Sequence, residues 1–376
     1  MTTKDKDNNI KLAKDVTTIV GKKDIFALVR NHKDPIKFDN YRSQWKKTYD
    51  MEHVTDFPTQ IDFELNYSCN FRCPMCTWSV ESTKGIGKET WFDFEVFKEV
   101  IDVGVKKGLQ AIRLNYINEP LIRKDLVKFI EYAHSAGLMD IYMSTNGSLL
   151  TEEISRLLIN SGLTRIQISL DAASEKTYND IRPSNFTLEE VTQNVLKFIE
   201  IRNNEFSAVL PAVRVNFVKT SINESELEKF INFWKEKVDG IGIQDLVNIM
   251  KPTKNILKGG IKDFKCVQPF QHLVVRYNGH ILPCCTFFGA ELPIAKLKSE
   301  TKPEVVFSRK KNVAMTDSPL DVFKDESRLL IQTIEEAWHS EQMTYLRDIH
   351  RKGEYWKNAV CKKCVESTSH HDETQG

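Results

Sequence analysis

Between residues 58 and 250 the apolar positions follow two alternating rhythms. Short, largely apolar runs at Ile61–Asn66, Ala111–Tyr116, Ile141–Asn146, Arg165–Asp171, Val213–Thr220 and Asp245–Met250 read as strands. The segments between them carry apolar residues three and four apart and read as amphipathic helices. Leu126, Phe129, Ile130 and Ala133 make one stripe, closed by Gly137; Ile154, Leu157 and Leu158 make another, opened by Thr151 and closed by Gly162. Two capping boxes, Thr187 with Glu190 and Asn223 with Glu226, mark further helix starts, the second leading into Leu227, Phe230, Ile231 and Trp234. Strands alternating with helices imply an α/β domain with a parallel sheet. Six βα units fall short of the eight of a closed barrel. An open, partial (β/α)6 barrel is therefore expected, with a doubly wound sheet as the alternative. In either, functional groups gather at the C-terminal ends of the strands.

The flanks are different. Residues 1–55 are charged and weakly patterned, with a short helix expected near Asp24–Arg30 and no functional signal. Beyond 250, Gln271–Tyr277, Asn278-Gly279 and His280–Leu282 read as a β-hairpin, because Asn-Gly suits a type I′ turn. Residues 290–327, polar and carrying Pro303 and Pro319, read as a surface insertion. Thr333 with Glu336 opens a last helix bearing Trp338, Tyr345, Leu346 and Ile349. The expected organisation is an extension at 1–55, a core at 56–250, and a small cysteine-rich α+β domain with the hairpin at 251–376.

Composition narrows the function classes. Of 376 residues, 41% are hydrophobic and 28% charged, ordinary for a soluble globular protein. A formal net charge of +1 gives no electrostatic case for nucleic acid or an acidic membrane. No apolar run is long enough to cross a bilayer, and Met1–Asp7 lacks a signal-peptide apolar region, so a cytoplasmic protein is expected. In that reducing setting the eight cysteines, at 69/73/76, 266, 284/285 and 361/364, read as metal ligands rather than disulfides.

The chemistry concentrates in Cys69-Asn70-Phe71-Arg72-Cys73-Pro74-Met75-Cys76, directly after the first strand. A 4Fe–4S cluster normally takes four protein thiolates. Three on one short segment leave one iron for a ligand that is not protein. The competing reading is a structural zinc with a distant fourth ligand, although such sites usually use two separated pairs.

The triplet, placed after strand one of a six-unit βα domain, resembles the radical S-adenosylmethionine (radical SAM) superfamily. Asn118-Glu119-Pro120 is similar to that family's GGE-type motif, which contacts the cofactor's amino group. Ser144-Thr145-Asn146-Gly147 resembles an S-T-N-G element near the cofactor, and Ser169-Leu170-Asp171 an S-x-D element associated with its ribose. Arg182 lies where many relatives place an arginine on the cofactor carboxylate, and Met75 stands where an aromatic residue often packs on adenine. Plain local readings exist for each: Glu119 as a loop carboxylate, Asn146-Gly147 as a turn, Asp171 as a helix cap. Cys266, Gly279 and Cys284, with twelve and four residues between them, resemble the opening of a SPASM or twitch auxiliary-cluster domain. Cys361 and Cys364 resemble its closing pair, giving four ligands for one auxiliary cluster; structural zinc is the alternative there too. Cys285 is the odd thiol: a packed bystander, an alternative to Cys284, or a candidate hydrogen-atom donor to a substrate radical. His370 and His371, in the polar tail, read as no ligands.

The resemblance implies that Cys69, Cys73 and Cys76 bind three irons while S-adenosylmethionine chelates the fourth. One electron, from a donor such as a flavodoxin or ferredoxin, then yields methionine and a 5′-deoxyadenosyl radical that abstracts hydrogen from substrate. A single auxiliary cluster resembles enzymes that oxidise or epimerise hydroxyl-bearing carbons, so a sugar or aminocyclitol is the expected small-molecule substrate. Peptide maturation is the second expectation. A zinc-stabilised binding protein without catalysis is the third, separated from the others by metal content.

Overall fold

The computed structural model describes residues 18–20, 24–82, 91–245, 264–285, 291–301 and 329–368. The chain runs β1 (Thr18–Val20), α1 (Ile25–Asn31), α2 (Pro35–Lys47), β2 (Gln60–Phe63), α3 (Thr77–Ser82), α4 (Phe94–Lys107), β3 (Ala111–Arg113), α5 (Leu126–Ser135), β4 (Asp140–Thr145), α6 (Glu152–Asn160), β5 (Arg165–Ser169), α7 (Glu175–Ile181), α8 (Leu188–Glu200), β6 (Ala212–Lys219), α9 (Leu227–Trp234) and β7 (Gly240–Asp245). It continues through α10 (Gln268–Gln271), β8 (His272–Val275), β9 (His280–Leu282), β10 (Ala295–Leu297), β11 (Ile331–Gln332), α11 (Ile334–Trp338), α12 (Glu341–Arg351) and α13 (Ala359–Thr368).

The eleven strands among the described residues form one open sheet in the order β1-β7-β6-β5-β4-β3-β2-β8-β9-β10-β11. The stretch from β7 across to β8 is parallel throughout. The expected partial barrel is therefore present, and β8 adds a parallel neighbour to β2 that the six-unit reading did not contain. The hairpin's first strand is thus part of the core sheet.

The sheet's two faces differ because the strands alternate in character. Ile61, Phe63, Ile112, Ile141, Met143, Ile166, Ile168, Val213 and Val215 point to one face and share a buried cluster with Phe97, Phe129, Leu158, Val195 and Phe198 of the helices. Phe97 meets both Phe63 and Phe129 edge-on at centroid distances of 4.9 Å, geometry that adds about 0.5–1.5 kcal/mol per pair beyond area burial. The opposite, concave face is polar. Register sets Asp62 beside Arg113, Arg113 beside Tyr142, Ser144 beside Gln167, and Gln167 beside Arg214.

The N-terminal extension has a definite position. Asp24 and Asp34 cap α1 and α2, accepting from backbone N–H groups two and three residues on. The apolar faces of these helices (Val29, Phe38, Tyr41, Trp45) bury against Ala111 and Met139 at the starts of β3 and β4. Trp45 stacks parallel to His272 at the start of β8, and the Arg165 guanidinium lies over Phe26 at the start of β5. α1 and α2 therefore floor the barrel at the N-terminal ends of its strands.

Several local expectations are corrected. The sixth strand is Gly240–Asp245, five residues ahead of its expected position, because its glycines mask the Ile241/Ile243 alternation; residues 246–250 lie outside the described residues. The hairpin turn is not type I′: Gly279 has a positive φ of 77° but Asn278 does not, and Gly279 N–H donates to Arg276 O at 2.8 Å. That is a three-residue loop with glycine at the left-handed position. Asn223 caps no helix through its side chain, and Leu157 is exposed while Ser155, Leu158 and Ile159 face inward. The last helix is broken into α11 and α12, because Ser340 caps a fresh start. The boxes at Thr187/Glu190 and Thr333/Glu336 form as expected. Most of the expected insertion at 290–327, together with His370 and His371, lies outside the described residues.

Candidate functional site

β2 delivers the chain to the rim, where Cys69, Cys73 and Cys76 follow within one tight loop. Cys76 N–H donates to Cys73 O at 3.0 Å, Ser79 Oγ donates to the same oxygen at 2.7 Å, and Arg72 N–H reaches Pro183 O at 3.1 Å. All three sulfurs are free thiols. Burial pushes Cys69 up to about 12, with Glu119 and then Cys73 and Cys76 adding to it; burial and Cys73 push Cys76 up to about 11. Three thiols, Cys73 buried and Cys69 and Cys76 partly so, lying in one another's field are a donor set that the cationic iron core of a cluster satisfies, so these residues fit an iron–sulfur cluster. Close by, the Tyr178 hydroxyl and the Trp78 indole N–H are buried with no hydrogen-bond partner among the described residues. Such orphaned groups fit a site that holds a polar ligand.

The other rim residues singled out by sequence converge on the same loop. Glu119 is buried, and its carboxylate accepts from Thr145 Oγ1 (2.7 Å), Leu121 N–H (3.1 Å) and Asn146 N–H (2.8 Å). Burial outweighs these bonds and raises its pKa to about 7. Asn146 Nδ2 donates to Asn70 Oδ1, inside the cysteine loop, at 2.8 Å, and Asn70 Nδ2 donates to Ser148 Oγ at 2.9 Å. Asn118 Nδ2 donates to Asn66 Oδ1 at 2.7 Å, while its own Oδ1 accepts from Tyr116 N–H. Ser144 lies deeper, its N–H on Asn115 Oδ1 and its hydroxyl on Gln167 Oε1. Ser169 closes β5 opposite Asn216, and Met75 packs on the main apolar cluster.

Asp171 and Arg182 are brought together rather than held apart. They form a buried, two-pronged ion pair, with the third guanidinium nitrogen 3.8 Å from Cys73 Sγ. Asp171 adopts a positive φ of 60°, and Asn223 Nδ2 holds its carbonyl at 2.8 Å while Val218 N–H donates to its Oδ1 at 2.8 Å. Asn223, read from sequence as a cap, is instead the clasp of this corner. Ser174 caps α7, and Glu226 braces that start, accepting from Ala173 N–H at 2.6 Å and from the hydroxyls of Ser174 and Thr177.

A second cysteine group forms at the far end. β9 runs antiparallel to β8, so Cys284 falls beside the start of β8, opposite the rim that carries Cys69. The Cys266 thiol is pushed well up by burial and further by Cys284, Cys364 and Cys361. Cys361 and Cys364 stand one turn apart on α13. The four expected auxiliary ligands are therefore gathered, a donor set that fits either an iron–sulfur cluster or a tetrahedral zinc.

Between the two ends lies a polar lumen that the sequence reading did not assign. Arg276 pairs with Glu64 (2.9 Å), Arg113 with Asp62 (2.5 Å), and Arg214 donates to Gln167 (2.6 Å). The strict alternation Ile61-Asp62-Phe63-Glu64-Leu65-Asn66 carried that information, since period-two polarity in a strand buried on both faces marks a polar inner surface. Cys285 belongs to this lumen: its sulfur lies 3.5 Å from Gln268 Oε1 and close to His272 and Asp62.

Residues 63–233 match the family model described as the radical SAM superfamily. The GTP 3′,8-cyclase of Thermodesulfovibrio yellowstonii is 35% identical over 173 residues, 46% of this chain and 50% of the relative. The GTP 3′,8-cyclase of Campylobacter fetus is 33% identical over 172 residues, 45% of this chain and 49% of the relative. The chain thus spans about half the length of these curated relatives. Among solved structures, native anSMEcpe with bound AdoMet superposes with a TM-score of 0.55 at 14% identity, covering 83% of this chain and 92% of that one, a likeness of fold. The superfamily implies a 4Fe–4S cluster and S-adenosylmethionine, and an enzyme rather than a zinc-stabilised binding module. The expected sugar or aminocyclitol substrate, with its oxidation or epimerisation, is overturned: the relatives sharing this core are named for GTP. Counting auxiliary cysteines was a poor guide to substrate, because those residues lie beyond the segment that matches the family. No helix among the described residues is long and apolar enough to cross a membrane.

Proposed function

We propose, for a chain whose residues 63–233 belong to the radical SAM superfamily, that Cys69, Cys73 and Cys76 hold a 4Fe–4S cluster at which S-adenosylmethionine is reductively cleaved, and that the substrate occupies the polar lumen below. The observation that carries this reading is the convergence of the three thiols with Glu119, Asn146, Asp171 and Arg182 at one rim. When bound, the cluster and S-adenosylmethionine supply one-electron cleavage to methionine and a 5′-deoxyadenosyl radical.

The residues supply binding, orientation and shielding. Glu119, poised near 7, ionises beside a cationic amino group and so accepts its hydrogen bond. Its two backbone donors and Thr145 fix the carboxylate's direction, which preorganises that contact. Arg182 keeps its charge through Asp171 and presents it towards Cys73, where an anionic carboxylate or a cluster with net negative charge is stabilised. The α1–α2 floor packs apolar side chains across the N-terminal end of the barrel, which limits the access of water to reactive species from that side. Cys266, Cys284, Cys361 and Cys364 are the proposed ligands of one auxiliary cluster in a SPASM-like region, and a flavodoxin or ferredoxin is the proposed electron donor.

GTP is the proposed first substrate, supported by the relatives' names and by Arg113, Arg214 and Arg276 on the lumen walls, cations suited to an anionic phosphate ligand. The test is anaerobic reconstitution, dithionite reduction and quantitation of 5′-deoxyadenosine with and without GTP. S-adenosylmethionine cleavage that disappears in Cys73→Ala supports the reading, and GTP-stimulated turnover supports the substrate. An intact cluster that never cleaves S-adenosylmethionine overturns the first, and cleavage indifferent to GTP overturns the second.

A further inference from the structure

Asp62, His272 and Cys285 come from three separate places in the fold: β2, the start of β8, and the segment after β9. One carboxylate oxygen, one ring nitrogen and the thiol sulfur all lie within 4.8 Å of one another. His272 is 3% exposed, and neither of its ring nitrogens meets a partner at hydrogen-bond geometry among the described residues. A buried, polar ring left in this state, facing a thiol and a carboxylate, is an unusual arrangement for a packed core, because buried polar groups are satisfied in the great majority of cases. Its flat face is fixed by Trp45, stacked 6.4 Å away at an interplanar angle of 2°.

We infer that these three residues form a mononuclear binding site for a divalent transition metal of the zinc class, distinct from both cysteine clusters. Aspartate, imidazole and thiolate together form the ligand mixture that such ions select. A tetrahedral ion holds its ligand atoms about 3.4–3.6 Å apart, given metal–ligand bonds of about 2.0–2.3 Å. Small side-chain rotations contract the cluster to that spacing. On binding, the Cys285 proton is released to solvent and the sulfur donates as thiolate.

The surroundings have the supporting contacts that metal ligands need. Gln60 Nε2 donates to Asp62 Oδ1 at 2.7 Å, and Arg113 Nη2 lies 2.5 Å from Asp62 Oδ2, so the carboxylate is oriented from both sides. With aspartate and thiolate at −1 each, Arg113 at +1 and the ion at +2, the site's charge sums to about +1, a modest excess for a lumen able to take an anion. Three protein ligands leave a fourth position for water or for an oxygen of a bound substrate. The inference does not depend on the proposed activity, since metal binding is measured directly.

The test is an anaerobic titration of the full chain, reconstituted with iron and sulfide and desalted, using Co2+ alone. Wild type takes up one equivalent beyond its iron, with a sulfur-to-cobalt charge-transfer absorption. Cys285→Ala loses that absorption and His272→Gln weakens uptake by about tenfold or more, with iron content unchanged in both. Should Cys285→Ala disturb the neighbouring Cys284 and lower iron, His272→Gln decides, because it removes one ligand and leaves every thiol in place. No cobalt uptake by wild type, or equal uptake by wild type and His272→Gln, overturns the site; the trio is then a metal-free thiol–imidazole–carboxylate cluster.

Discussion

Replacing Glu119 by glutamine should reverse sign with pH. In the fold the carboxyl is held near 7 by burial, against an ordinary value of 4.5. Its neutral form is therefore the one the fold favours. Stability is greatest at low pH, declines as pH rises from 4.5 to 7, and levels off above. Integrating this linkage between pH 5 and 8.5 gives a loss of about 2.5 kcal/mol in the wild type that Glu119→Gln does not share. Glutamine has a cost of its own. Its amide nitrogen must face either Asn146 N–H or the Thr145/Leu121 donors, leaving a buried N–H unmet at about 1–3 kcal/mol. Glu119→Gln is thus expected to be less stable than wild type at pH 5, and equal or more stable at pH 8.5. Guanidinium unfolding of the metal-free chain at both pH values, followed by tryptophan fluorescence, measures the difference. A stability gap that moves by less than about 0.5 kcal/mol between them would refute the burial argument.

Arg182→Ala strips Asp171 of its partner in a buried setting and is expected to destabilise by about 3–5 kcal/mol, visible as a large fall in unfolding midpoint; a change within 1 kcal/mol would mean that solvent reaches the pair. A Cys69/Cys73/Cys76 triple alanine variant should retain about half the iron of wild type, at about four irons per cluster; unchanged iron would place the metal elsewhere. Thr187→Ala removes one half of a capping box and should cost about 1 kcal/mol by denaturant titration, leaving S-adenosylmethionine binding unchanged.

The barrel was legible because its helices and strands announce themselves twice, by apolar period and by caps. Thr187/Glu190 and Thr333/Glu336 are local devices, and local devices survive folding. Asn223 shows the opposite case. Its side chain is taken by Asp171 and Val218, contacts with no signature in the four residues around it. The rim residues were readable as spacings along the chain, but not their pairings: nothing in Ser169-Leu170-Asp171 says that Asp171 will bind Arg182. β7 was misplaced because Gly240 and Gly242 look like turn residues, although within the sheet Gly240 pairs with β6 and Gly242 lies between β6 and β1. The polar lumen was written plainly in the alternation from Ile61 to Asn66, and was obscured by reading that run only for its apolar half.

The floor built from α1 and α2 has a kinetic corollary. With Trp45 seated on His272, the described residues cover the barrel at one end, and the rim carrying Cys69, Cys73 and Cys76 lies at the other. A molecule bound deep in such a chamber must arrive before the doorway is occupied and depart after it clears. On the proposed placement of substrate and cosubstrate, traffic then runs last in, first out, with the cosubstrate at the rim as the stopper.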